Sequence, residues 1–280
     1  MREISKEVVI DTVCQLFLSA NVNLPNDVRE ALVKARDQEI DANARKMLSI
    51  IVENYKLAEK KQTPICQDTG MAVVFVEWGS EVVLQNSSLE EAINEGVKKA
   101  YETGYFRKSV VKDPLKRENT GDNTPAVIHT KIVGGDRVKI TVAPKGFGSE
   151  NMSSLKMFNP TASWDEIEEF VVNVVKNAGA KPCPPVVVGV GIGGTTEKAT
   201  LLAKEALLSD LSFVNPDPFW ATKESSLLKA INKTGIGPQG IGGLTTALSC
   251  HIRTFPTHIA GMPVAVNLNC HASRHKEAYL

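Results

Sequence analysis

The chain has 280 residues, 42% hydrophobic and 23% charged, with 32 basic side chains balancing 32 acidic ones. That length buries a sizeable core in one large or two modest domains, and the zero net charge argues against nucleic acid or an anionic membrane as main partner. Five scattered cysteines without a C-x-x-C pair exclude a disulfide framework, zinc ribbons, thioredoxin-like pairs and clustered ferredoxin spacing. The first residues mix charges through apolar positions, unlike a signal or transit peptide, and no apolar run reaches bilayer length. The expected compartment is the cytoplasm.

In chain order, residues 3–62 read as helical throughout. Ile4, Val8, Val9, Val13, Leu16 and Phe17 form one apolar stripe, Pro25 marks a second helix start, and "DANARKMLSIIVENYKLAEK" supplies a third. Pro64 breaks the pattern, and "MAVVFVEWG" has the composition of a strand. "NSSLEEAINEGVKKAYETG" is a helix with a capping box at Ser87 and Glu90 and a glycine stop at Gly104. A polar loop leads into "AVIHTKIVGGDRVKITVAP", read as an antiparallel hairpin turning at Gly134 and Gly135. The Gly-rich loop "PKGFGSENMSS" follows. Then come the capped helix "SWDEIEEFVVNVVKNAGA" and the buried strand "PPVVVGVGIGG" with its helix "TTEKATLLAKEALL". The expected fold is α/β (α+β): a helical N-terminal subdomain over residues 1–63, then an α/β body over 64–280 with a mixed or antiparallel sheet.

Gly189, Gly191 and Gly194 satisfy G-x-G-x-x-G between a strand and a helix, with Asp210 near the distance of a ribose-binding acid. An NAD-dependent oxidoreductase is one reading of this pattern. Against it, "LLSDLSFVNPDPFW" offers no second apolar strand, and Pro184 and Pro185 make a poor start for the first. Two other readings remain: backbone N–H groups at a helix N-terminus suited to a carboxylate, and close packing of strand on helix.

Cys14 lies on the apolar face of the first helix and reads as core, and Cys250 reads as structural. Cys66, Cys183 and Cys270 each sit in a loop at a strand boundary with proline or polar neighbours. Three thiolates from three loops fit a cubane iron–sulfur cluster with one open iron, which would act as a Lewis acid in dehydration. A non-catalytic electron-transfer or scaffold protein would use a fully ligated cluster instead.

"PICQDTG", "KGFGSEN", "PCPPVVVGVGIGGTTEKA" and "RTFPTHIAGMPVAVNLNCHASRH" together resemble the class I, oxygen-sensitive fumarate hydratases and the related L(+)-tartrate dehydratases, and the chain is similar to the alpha subunit of a two-subunit member. The resemblance implies a 4Fe-4S cluster held by Cys66, Cys183 and Cys270. It also implies Asp68 as catalytic acid and His258 as a catalytic, substrate-contacting histidine, with Gln67, Arg107 and Gly148 as further substrate contacts. Unaided, Asp68 would be a turn aspartate, Arg107 a solvated arginine and His258 a satisfied structural histidine. His129 reads as structural; His251, His271 and His275 are undecided. Single-chain relatives continue past the third cysteine into a domain carrying a threonine base and further carboxylate-binding arginine and lysine residues, whereas this chain stops ten residues after Cys270. The implied partner is a separate beta subunit in a heterotetramer of two alpha and two beta chains. The implied reaction is reversible hydration of fumarate to (S)-malate, with dehydration of L(+)-tartrate as the alternative.

Overall fold

Residues 1–63, expected to be helical, begin with a strand. β1 (Arg2–Ser5) pairs in parallel with β3 (Val82–Gln85). It ends where the Ser5 hydroxyl accepts the Val8 N–H and caps α1 (Lys6–Val22). Helices α2 (Asn26–Gln38) and α3 (Ala42–Lys61) follow as expected. The structure is a computed structural model that describes all 280 residues. Two units are present: one formed by Met1–Pro25, Asn54–Phe147 and Arg274–Leu280, the other by Asn26–Glu53 and Gly148–Ser273. The three N-terminal helices are shared between them, α1 in the first, α2 in the second, and α3 running through the division after Glu53.

One stretch within Lys6–Gln38 is long and apolar enough by composition to cross a membrane, contrary to the expectation. It is broken at Asn23–Pro25, between α1 and α2, and Val9, Val13, Phe17 and Leu32 on it are buried side chains of the protein's own cores.

In the first unit β2 (Met71–Gly79) is central to a sheet ordered β10-β5-β2-β4, with β4 (Val127–Val133), β5 (Val138–Lys145) and β10 (Lys276–Tyr279). The expected hairpin of β4 and β5 does not form, because β2 lies between them, parallel to β4 and antiparallel to β5. The reason is burial. β2 hides Ala72, Val73, Val74 and Val76 and takes two neighbours, whereas β4, mostly exposed, accepts the edge. The Gly134–Gly135 turn passes the end of β2, where Ser80 and Glu81 donate their N–H groups to the Val133 and Gly135 carbonyls. α1 packs against α4 (Leu89–Thr103), and both cover the sheet through Val13, Phe17, Ile93 and Tyr101. The capping box of α4 is Ser88 with Glu91, one residue later than expected; the Ser87 hydroxyl bonds the same Glu91 carboxylate.

The second unit carries a sheet ordered β6-β9-β7-β8, from β6 (Ser154–Phe158), β7 (Val186–Gly193), β8 (Ala247–Phe255) and β9 (Met262–Asn269). β7 is buried along its whole length, as expected. Val186, Val188, Val190 and Ile192 share a core with α6 (Trp164–Ala178) and α8 (Pro218–Asn232). The alternate positions, on the opposite face, meet α7 (Thr196–Ala206). A Cβ added at Gly189 or Gly191 would stand 2.1 or 2.0 Å from the carbonyl oxygen of Ala203 or Ala199 on that helix. The glycine fingerprint is therefore the seat of a helix pressed onto a strand. Its strand also pairs antiparallel with β9 and parallel only with β8, unlike the all-parallel start of a dinucleotide fold. "KGFGSEN", expected as a loop, contains the single helical turn α5 (Phe147–Glu150). The fold is α/β with mixed sheets and a helical N-terminal region.

Candidate active site

In the first unit the turn after α3 is anchored before it reaches Cys66. Ile65 donates its N–H to the Asn21 carbonyl and accepts the Asn54 amide on its own carbonyl. The half-buried Cys66 sulfur then receives the Asp68 N–H at 3.4 Å. Both Asp68 carboxylate oxygens are held by backbone, Oδ1 by the Gly70 N–H at 3.0 Å and Oδ2 by the Phe147 N–H at 2.9 Å. The second bond exists because Met71 on β2 pairs with Lys145 on β5, which lays "KGF" alongside the turn. Gly70, at φ +78, could carry no side chain, since a Cβ would lie 2.6 Å from the Lys145 nitrogen.

Three successive carbonyls of this turn are taken by buried side chains. Asp68 O accepts Arg274, Thr69 O accepts the Tyr101 hydroxyl at 2.7 Å, and Gly70 O lies 2.9 Å from the same hydroxyl and accepts the Asn123 amide at 3.2 Å. Burial pushes the Tyr101 phenol well above its ordinary range, so it stays a donor. Asn123 also accepts the Ser109 and Val110 N–H groups, and Thr69 Oγ1 donates to the Arg107 carbonyl at 3.1 Å. The backbone of Arg107 is thus tied to the Asp68 turn, with the Gln67 and Arg107 side chains exposed. The first unit brings Cys66, Gln67, Asp68 and Arg107 together.

In the second unit the sheet register brings two thiols to one end. Val187 pairs with Asn269 in the antiparallel β7–β9 ladder, so Cys183, just before β7, and Cys270, just after β9, lie at the same edge. The His271 N–H reaches the Cys183 carbonyl at 3.2 Å and its ring Nδ1 lies 2.9 Å from the same oxygen. The same Nδ1 lies 3.1 Å from the Gln239 amide nitrogen, and His271 joins the two loops. Gly148 belongs here too: a Cβ on it would stand 3.2 Å from the Lys181 carbonyl, two residues before Cys183. His258 does not. It follows β8, whose Phe255 pairs with Gly193 at the far end of β7. It is therefore separated from Cys183 and Cys270 by about 23 Å, the rise of one such strand. There it is exposed, accepts the Ala260 N–H on Nδ1 at 3.1 Å, and lines a 420 Å³ cavity with Gly194, Thr195 and Lys198 at the start of α7.

No group of three or more His, Cys, Asp or Glu side chains is gathered in metal-holding geometry. The thiols themselves sort cleanly. Cys14 and Cys250 are buried and the other three are not; burial raises the Cys14 thiol, and raises that of Cys250 far out of the titrating range. The three accessible thiols are those read as ligands, and thiolates are the donor type an iron–sulfur cluster takes. Sequence reasoning missed Arg274, Tyr101 and Asn123. Arg274 lies in "NCHASRH", four residues after Cys270, but only its burial, at 5% exposure, separates it from a solvated arginine.

The family model for fumarate hydratase (Fumerase) matches residues 10–279. A Methanocaldococcus jannaschii protein provisionally named L(+)-tartrate dehydratase subunit alpha is 43% identical over 275 residues, covering 95% of each chain. The L(+)-tartrate dehydratase subunit alpha of Escherichia coli K12 is 28% identical over 281 residues, covering 98% of this chain and 92% of that one, and a Shigella boydii protein of the same name matches equally. With the family match spanning nearly the whole chain and taking in the Asp68 turn and all three accessible thiols, the chain belongs to the fumarate hydratase (Fumerase) family of hydro-lyases.

Proposed function

We propose that this chain is the alpha subunit of a cytoplasmic hydro-lyase that converts L(+)-tartrate to oxaloacetate and water, paired with a separate beta subunit in a heterotetramer of two of each. The relatives' names favour tartrate over the first expectation from sequence, hydration of fumarate to (S)-malate, which keeps the family description in its support. One observation carries the reading. Of five cysteines, the three left out of the cores are Cys66, Cys183 and Cys270.

These three thiolates would hold a 4Fe-4S cluster, which supplies a Lewis acid that makes hydroxide a better leaving group. The chain's own residues do the rest. Asp68 moves a proton between a carboxyl oxygen and the substrate hydroxyl, so that hydroxide departs as water. Its two backbone N–H partners keep that carboxyl in one orientation. Gln67 offers an amide, Arg107 a two-pronged cation for one carboxylate, and Gly148 its backbone. The beta subunit brings the base that removes the proton beside a carboxylate.

The test is anaerobic co-expression with the beta subunit, followed by iron and sulfide counts and assays on L(+)-tartrate, (S)-malate and fumarate. The highest kcat/KM is expected for tartrate; a preference for malate and fumarate restores the alternative, and an iron-loaded complex inert on all three overturns both. The placement of His258 adds a second outcome. If it contacts substrate, it does so from another copy of the chain, so co-assembled Asp68→Asn and His258→Asn subunits should recover about one quarter of wild-type activity. That fraction follows from random pairing that leaves one intact site in half the dimers. Two inactive variants that stay inactive when mixed would remove His258 from the trans role.

A further inference from the structure

Of the side chains that pin the Asp68 turn, two are neutral and one is charged. Tyr101 and Asn123 donate to the Thr69 and Gly70 carbonyls, and neither leaves a buried polar atom without a partner. Arg274, 5% exposed, spends Nη2 on the Asp68 carbonyl, while its Nε and Nη1 have no hydrogen-bond partner at all.

That is an expensive arrangement to leave alone. Each unsatisfied buried donor costs about 1–3 kcal/mol, and more when it carries charge, and a guanidinium taken out of water needs an anion to offset the loss. Neither anionic group of the turn accepts from Nε or Nη1 of Arg274. Both oxygens of Asp68 hold backbone N–H groups, and the Cys66 sulfur receives the Asp68 N–H. The cation sits close enough for Arg274 and Asp68 to act on the Tyr101 phenol with opposite signs, so its charge is felt at the turn itself. A neutral amide would have held the Asp68 carbonyl as well. The fold places a planar, permanently charged group there, with donors left over.

We infer that Arg274 binds a carboxylate of the dicarboxylate substrate while its third nitrogen holds the turn that presents Asp68. The inference rests on the hydro-lyase function proposed above and goes one residue further. A four-carbon diacid carries two carboxylates, and the same turn already fixes the backbone of Arg107 through Thr69 Oγ1, so two arginines would be offered from one turn. The planar fork of arginine suits the double task, one donor on a protein carbonyl and the others on a carboxylate. Lysine, a point charge, cannot do both with fixed geometry.

The experiment compares wild type, Arg274→Met and Arg274→Lys in the anaerobically assembled complex with the beta subunit, reading KM, kcat, iron per chain and the response to added guanidinium. Arg274→Met should raise KM for the dicarboxylate roughly 10- to 100-fold, the loss of one charge-assisted hydrogen bond. Iron should stay at the wild-type value, and guanidinium should restore part of kcat/KM. Arg274→Lys, which keeps the charge and is the safer variant for folding, should also raise KM, by less. An unchanged KM in either variant overturns the inference, as does a loss of activity that only tracks loss of iron and ignores guanidinium. A wild-type complex inert on every diacid would instead overturn the proposed function, so the two failures are told apart.

Discussion

Single replacement of Cys66, Cys183 or Cys270 by alanine is expected to abolish turnover and lower the iron count of the anaerobically assembled complex, whereas Cys14→Ala and Cys250→Ala keep both. The contrast follows from where the thiols lie. Cys14 and Cys250 fill the cores of their units, and burial holds both protonated, a state that is neither ligand nor nucleophile. Their loss costs packing, about 1–3 kcal/mol of stability, and no chemistry. Cys66 receives an N–H on its sulfur. Cys183 and Cys270 sit in loops joined through His271, with the Cys183 backbone at φ +54, a conformation a non-glycine residue adopts only where its surroundings enforce it. If these three thiolates hold the proposed cluster, each alanine would take away one of its protein ligands. Iron content at the wild-type level in any of the three alanine variants would remove that residue from the ligand set.

Gly191→Ala is expected to be a strongly destabilising change in the second unit. The added methyl would stand 2.0 Å from the Ala199 carbonyl oxygen and 2.7 Å from the Ala203 nitrogen, both rigid helix backbone, so α7 must lift off β7. Overpacking of this kind costs about 3 kcal/mol or more, a fall of roughly 6–12 °C in the midpoint of that unit. Gly134→Ala is the control. Nothing lies within 4 Å of a Cβ there, and its midpoint should stay within about 2 °C of wild type. Thermal melts of the two variants decide the point. A Gly191→Ala protein as stable as wild type would show that the helix is not seated on the glycines. An NADH titration of the wild-type chain is expected to show no tight binding, because two of the three glycines that would cradle a pyrophosphate, Gly189 and Gly191, are inside a strand.

The parts of the fold legible in the sequence are those whose pattern is local. β7, buried on both faces, announced itself as an unbroken apolar run, and the capping box of α6 at Ser163 and Glu166 follows from three residues of spacing. The parts misread are those decided by distant competition. β4 and β5 carry every sign of a hairpin, and nothing within them reveals that the more apolar β2 enters between them. Arg2–Ser5 reads as the first turn of a helix because its partner, Val82–Gln85, lies far along the chain. The site divides the same way. Cys66, Gln67 and Asp68 are visible as a contiguous motif, while the groups that hold them, Arg274, Tyr101 and Asn123, converge from separate segments and look ordinary one at a time.

The route of the chain through its two units has a consequence during synthesis. β10 and Arg274 belong to the first unit, where β10 closes the free side of β5 and Leu280 donates to the Val138 carbonyl, yet a ribosome makes them only after the whole of Gly148–Ser273. Until then β5 emerges with an open edge and the Asp68 turn lacks its arginine. The segment that finishes the first unit is also the one that follows Cys270, so a nascent chain completes the set of partners around the Asp68 turn only after its third accessible thiol has been made.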